Sequence, residues 1–223
     1  MQSLFSWHLS AIPLQFFSFS HAALYTMYIT TFGILLGVVL GLVVAFARIS
    51  SHQIPKKIAK GYIFLIRGTP LLLQLFIIYY GLTALITIPP FPAAILALGI
   101  HNGAYIAEIF RGSIQSIHYG QMEAARSLGM SYSKAMRRII LPQAFKRAVP
   151  TLGNQFIVAL KDSSLASTIA IPELLLRGRQ LGASTFMYME MLTIVAIWYL
   201  LMTSILTFII HKVEKRLKVS DHV

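Results

Sequence analysis

The sequence predicts an all-α integral membrane protein of about five transmembrane helices, and three observations predict it. Of 223 residues, 57% are hydrophobic and only 12% are charged, about half the charged share with which a water-soluble domain covers its surface. The mean hydropathy is +0.71. Long apolar stretches also alternate with short basic segments, the pattern that the positive-inside bias produces. A crossing needs about 20 apolar residues, so this length holds roughly five or six crossings and no large aqueous domain. A soluble globule and a disordered chain are both excluded by the same arithmetic.

The first apolar stretch, about 22–46, has no Lys, Arg, Asp or Glu and ends before Arg48. Within it Gly33, Gly37, Gly41 and Ala45 recur every four residues. That spacing puts them on one helical face, where small residues let helix backbones approach in lipid. Arg48, Lys56, Lys57 and Lys60 make the next connection basic.

A second span covers about 59–81 and contains Arg67-Gly68-Thr69-Pro70. Pro70 lacks a backbone donor and frees a carbonyl one turn earlier, which predicts a kink there. The connection that follows holds Pro89, Pro90 and Pro92 and no charge, and a third span follows at about 93–112. Residues 113–147 are too polar to cross and form a folded aqueous or interfacial loop. A fourth span, about 148–170, is interrupted by Lys161 and Asp162. The fifth, about 188–211, is followed by Lys212, Lys215, Arg216 and Lys218.

Charge assigns the sides. The first connection, the long loop with Arg111 at its edge, and the tail are basic. The amino-terminal segment and the connection after span two have no Lys or Arg, and the connection after span four has only Arg177 and Arg179. With five helices these sets alternate, which predicts the amino terminus outside and the carboxyl terminus inside. Met1–Trp7 has no basic n-region, so the first span is expected to act as an uncleaved insertion signal.

The formal charge of +12 does not point to nucleic acid, because the basic residues lie between spans rather than on one water-facing surface. With no cysteine in the chain, disulfides, thiolate catalysis and Cys-based metal sites are excluded. No His pair or carboxylate cluster has metal-ligand spacing, and no nucleophile–base set is visible. The chain is not expected to be an enzyme or to hold a cofactor.

The long loop carries the sharpest pattern. Glu123 to Leu128 reads as a short helix that Gly129 can end in a left-handed turn. Ser133 to Leu141 then suits another amphipathic turn or two, closed by Pro142. Such a basic, partly apolar helix pair is suited to dock on a partner. For Glu123 alone, a solvated carboxylate favoured by the helix dipole is the plain alternative.

Glu123, Ala124, Ala125, Gly129, Ile139, Leu141 and Pro142 together resemble the EAA signature of permease subunits of binding-protein-dependent ABC importers. Three further segments resemble the polar amino-acid branch of that family: Arg67 to Gln74, Gly103 to Gly112 and Leu160 to Ala166. The resemblance covers about residues 20–215. It implies a multi-pass permease in a bacterial plasma membrane that pairs with a second copy or a homologous permease.

On that resemblance, the pair sits on cytoplasmic ABC ATPase subunits, and an extracytoplasmic binding protein delivers a polar amino acid. The Glu123–Gly129 element would be the coupling helix. Consistent with this, the chain has no Gly-x-x-x-x-Gly-Lys-Ser/Thr phosphate loop. ATP and Mg are therefore expected on the partner ATPase.

The candidates for the substrate pathway are intramembrane polar residues, which are costly in lipid unless paired or facing a wet cavity. Asp162, with Ser163 and Ser164, would line a polar cavity that meets an ammonium or a side-chain cation, or Lys161 pairs or snorkels beside it. Arg67, near Thr69, either caps carbonyls freed by Pro70 or faces a substrate carboxylate. Gln74 is placed to hydrogen-bond along the pathway. His101 and Asn102 fall mid-span, where helix-to-helix hydrogen bonds compete with ligand contacts. Glu108 and Arg111, spaced i, i+3, can pair on one face. A passive small-solute channel built from the same residues is the alternative; it predicts transport without nucleotide.

Overall fold

A computed structural model describes residues 11–218, and within them every regular element is helical. The reading of Met1–Trp7 lies outside the described residues. In chain order the helices are α1 (Ala11–Phe16), α2 (Ser20–Ile49), α3 (Gln53–Arg67), α4 (Leu71–Tyr79), α5 (Pro90–Gln115), α6 (Tyr119–Ser127), α7 (Tyr132–Ala135), α8 (Leu141–Asp162), α9 (Leu174–Thr185) and α10 (Tyr188–Lys218). A π-helical turn, Met136–Ile140, joins α7 to α8, and a 3-10 turn, Ser163–Ile169, extends α8.

By length and apolarity, three helical stretches can cross a membrane: Ile12–Ile49, Pro90–Gln115 and Tyr188–Leu217. A fourth forms if α3 and the segment Leu71–Ala84 count as one broken span. The remaining predicted crossing, about 148–170, falls on α8 and its 3-10 extension, which pack against α5 and α10.

The α2–α5 pair is the spine of the fold. Gly33, Gly37, Gly41 and Ala45 are all buried, and α5 answers with small residues of its own. A Cβ on Gly33 would stand 2.8 Å from Leu98 Cβ, and one on Gly37 would stand 3.3 Å from the Gly103 nitrogen. In the other direction, a Cβ on Gly99 would meet Leu36 Cδ2 at 2.5 Å. The two backbones are as close as absent side chains allow. In lipid such contact supplies the dispersion attraction that a hydrophobic effect supplies in water.

At Pro70 the structure departs from the predicted kink. The chain breaks there into α3 and α4, which meet at 101°. Pro70 adopts an extended backbone (φ −63°, ψ 141°) at the start of α4, and a residue preceding proline is disfavoured in the helical region. Gly68 N–H keeps the last helical bond of α3, and side chains answer two of the carbonyls that the break leaves without helical donors. Gly68 N–H donates to Phe64 O at 3.0 Å, Thr69 Oγ1 to Leu65 O at 2.9 Å, and Gln74 Nε2 to Ile66 O at 2.8 Å. The connection before α3 is also shorter than expected: Lys56, Lys57 and Lys60 lie within the helix.

Two further expectations are corrected. Pro142 does not close the second loop helix. It sits in the first turn of α8, where no intrahelical donor is required. The π turn just before it passes the bond from Leu141 N–H to Met136 O. The connection after the fourth span is not a loop but α9, packed on α10. Gly178 and Gly182 permit that contact: a Cβ on Gly178 would meet Val195 Cγ2 at 2.5 Å.

Glu173 starts α9 from a fully buried position, 0% exposed. Its carboxylate accepts from Leu175 N–H at 2.9 Å, Leu176 N–H at 2.7 Å and Tyr199 Oη at 3.1 Å. Leu174 N–H, also at the helix start, donates to Thr26 Oγ1 of α2 at 3.3 Å. One carboxylate thus satisfies donors from two helices. Glu173→Ala strands three of them and should destabilise the fold by roughly 2–4 kcal/mol. Thermal unfolding in detergent should show a lowered Tm, with Glu173→Gln intermediate. An unchanged Tm for the alanine variant would contradict the capping role.

Candidate functional site

The loop 113–147 folds as a compact unit hung from the ends of α5 and α8. α6 starts at His118, whose Nδ1 accepts from Gly120 N–H at 3.2 Å. It ends in a Schellman motif: Met130 N–H donates to Ala125 O at 3.1 Å and Gly129 N–H to Arg126 O at 3.0 Å. Gly129 sits at φ +78° as that motif requires, with nothing within 4 Å of where a Cβ would be. Ser131 then caps α7, accepting from Lys134 N–H at 3.3 Å. A small apolar core of Ile117, Ile140 and Ala144, with Met122 and Met136 packed against it, fastens the unit to the bundle. Arg147 adds a tether, donating to Ser116 O at 2.6 Å.

This packing divides the signature residues. Ala125 is 1% exposed, and Ile139 and Leu141 are half-buried. Glu123, Ala124, Gly129 and Pro142 are exposed. The sequence reading missed the large apolar side chains on the same unit: Tyr119 is 70% exposed, Leu128 83%, and Tyr132 is also exposed. Their signal was present, as apolar residues punctuating a basic, non-spanning loop.

Beside α6 lies a polar cavity of about 420 Å³, where Arg48, Lys56 and Arg111 approach Tyr119 and Met122. Arg111 and Glu108 pair as their spacing predicts, with Arg111 Nη2 2.7 Å from Glu108 Oε2. Arg48 joins them from α2, its Nε 3.6 Å from Glu108 Oε1. The basic ends of α2, α3 and α5 therefore converge where the loop is attached.

The intramembrane candidates separate into tied and free groups. Gln74 is saturated: its amide nitrogen reaches Ile66 O and Thr69 Oγ1, and its Oε1 lies 3.1 Å from His101 Nδ1. Thus Thr69 and Gln74, not Arg67, cap carbonyls freed at the break. Arg67 stacks its guanidinium 5.1 Å from the Tyr105 ring centroid. Asn102 is fully buried; its amide donates to Leu98 O at 2.8 Å and its Oδ1 accepts from Gln155 Nε2 at 2.8 Å.

Ser163 and Ser164 turn their hydroxyls back onto the carbonyls of Leu160 and Lys161, at 2.8 and 2.7 Å. Asp162 is half-buried at the end of α8 and forms no hydrogen bond or ion pair among the described residues. Lys161, next to it, is exposed. The 3-10 turn beyond Asp162 packs on α4 and α5.

Comparison with known proteins adds to this geometry. The family described as binding-protein-dependent transport system inner membrane component matches residues 33–219. The chain is 41% identical over 197 residues to the glutamine transport system permease protein GlnP of Escherichia coli strain K12, covering 87% of this chain and 90% of that protein. It is 40% identical over 198 residues to the arginine transport system permease protein ArtQ of Bacillus subtilis strain 168, covering 88% and 90%. Its fold superimposes on a crystal structure of an amino acid ABC transporter with histidines, with a TM-score of 0.86 at 40% identity over 93% of this chain and 96% of that one.

Proposed function

The chain belongs to the family of binding-protein-dependent transport system inner membrane components, multi-pass proteins of the inner membrane, and from that premise we propose how it works. It is the permease subunit of an importer for polar amino acids, with its amino terminus outside. Partner ATPase subunits bind ATP and Mg, an extracytoplasmic binding protein delivers the substrate, and a second permease completes the pathway. The amino-acid substrate is supported by the names of the glutamine and arginine relatives.

The observation that carries the coupling role is the loop itself. α6 is anchored by buried Ala125, and the loop unit presents Tyr119, Leu128 and Tyr132 to the outside. A rigid element with an apolar tip can be pushed by a partner and can pass that push to α5 and α8. Closure of an ATPase dimer would then rock the helix bundle about a midplane site. The bundle has no energy source of its own for uphill transport.

Within the bundle, Asp162 is the proposed contact for the substrate ammonium, because it is the candidate carboxylate without a hydrogen bond or ion pair among the described residues. Gln74 and Thr69 hold the α3–α4 break, and Asn102 ties α5 to α8. Ser163 and Ser164 hold the turn, and Arg67 has a guanidinium positioned to meet a carboxylate.

The test is purification of the tagged chain from its native membrane, followed by reconstitution. An ATPase subunit should copurify, and uptake of glutamine or arginine should require ATP. Asp162→Asn should lower uptake at limiting substrate while leaving ATPase recovery unchanged. Solute flux without nucleotide, from a chain isolated alone, would overturn the reading in favour of a channel.

A further inference from the structure

A second cavity, of about 500 Å³, opens between α2, α5 and α8, one turn from the basic end of α2. Its walls are almost wholly apolar, with Leu42 and Phe46 from α2, Phe110 from α5, and Leu141 and Phe145 from α8. Two cations line it, Arg137 of the π turn and Lys146 of α8, and among the described residues no acidic side chain does. Phe46 and Phe145 are exposed, so the slot is open on its side to the surroundings of the bundle.

We infer that this slot binds one anionic phospholipid of the inner leaflet, its acyl chain between α2 and α8 and its phosphate against Arg137 and Lys146. The inference rests on the proposed orientation, which sets this end of the bundle at the cytoplasmic headgroups. It does not depend on which solute is carried.

Three features select that occupant. The apolar walls exclude a free anion, which would have to leave water for hydrocarbon at large cost. The paired cations select against a neutral or cationic headgroup, since basic pockets between helices on the cytoplasmic side attract negative phosphates. The lining comes from different parts of the molecule: Arg137 lies in the loop unit, whereas Leu42, Phe46 and Phe110 lie in the bundle. A lipid held at both would therefore brace the loop against the spine, a role that a free phosphate at the surface could not fill.

The experiment uses the full chain in detergent, with phosphatidylglycerol and phosphatidylcholine as probes and bound lipid measured by mass spectrometry. Wild type should retain phosphatidylglycerol in preference to phosphatidylcholine, and added phosphatidylglycerol should raise its Tm. The double variant Arg137→Gln, Lys146→Gln should bind it about thirty-fold more weakly, roughly fivefold per cation removed. Arg138→Gln, a neighbouring exposed cation outside the slot, should retain it. Equal retention of the two lipids, or undiminished phosphatidylglycerol binding in the double variant, would overturn the inference. The chain has no cysteine, so Phe46→Cys introduces a unique thiol. Efficient disulfide linking of two copies through it would mean that a second permease fills the slot, and would overturn the inference equally.

Discussion

Gly129→Asp is expected to lower ATP-driven uptake roughly tenfold or more while the chain still folds. The position is at φ +78°, and nothing lies within 4 Å of a new Cβ. The cost inside the protein is therefore backbone strain alone, about 1 kcal/mol for a non-glycine residue in the left-handed region. The cost at the partner's surface is larger in effect. Gly129 stands beside Leu128, the most exposed apolar residue of the loop unit, and a carboxylate there brings a charge into the contact that α6 would make. A penalty of only about 1.4 kcal/mol already reduces occupancy tenfold.

Gly129→Asn separates the two causes, because asparagine tolerates the left-handed conformation and carries no charge. It should retain most uptake. The measurements are ATP-dependent uptake in proteoliposomes and recovery of the ATPase subunit, with Tm as the control for folding. Normal uptake by the aspartate variant would sink the coupling assignment.

Gly41→Leu should have the largest effect on the fold. Even the first added carbon would lie 2.6 Å from Ile106 Cγ2, 2.8 Å from Ile106 Cβ and 3.1 Å from the Ala107 nitrogen. A backbone atom cannot rotate away as a side-chain tip can, so α2 and α5 must separate. Overpacking costs about 1–3 kcal/mol when side chains alone give way, and more when the backbone moves. Here no hydrophobic gain offsets it, since lipid tails are as apolar as the added side chain.

The expected result is loss of monodisperse protein in detergent, or a strongly lowered Tm where some survives. Gly61→Ala is the contrast. Gly61 lies within α3 with nothing within 4 Å, and exchange of an open helical glycine for alanine gains about 0.8–1 kcal/mol of helix propensity. If Gly41→Leu and Gly61→Ala behave alike, close α2–α5 packing is not what holds the bundle.

Much of this was legible before any coordinates. The four-residue stripe of Gly33, Gly37, Gly41 and Ala45 identified a packing face because helical periodicity is a local property. Gly129 identified a left-handed turn because few other residues occupy one without strain. Glu108 and Arg111 paired because three residues of helix bring them together regardless of context. α9 was missed because its Arg177, Arg179, Gly178 and Gly182 read as a polar connection. Their helical state depends on the surface of α10, which lies outside the segment, and on Glu173 being buried so that it caps the helix instead of facing water.

Composition and short-range pattern were enough for the membrane class, the basic and non-basic ends, a bend at Pro70 and the turn at Gly129. Each of these follows from composition or from residues within one or two turns of each other. Packing between helices set the 101° break at Pro70 and committed the Gln74 amide to the end of α3. It likewise brought Arg48 to Glu108 from another helix and Thr26 to a backbone donor 148 residues away. These depend on which helices become neighbours, because a buried polar group must take its partner from whatever surface is packed against it.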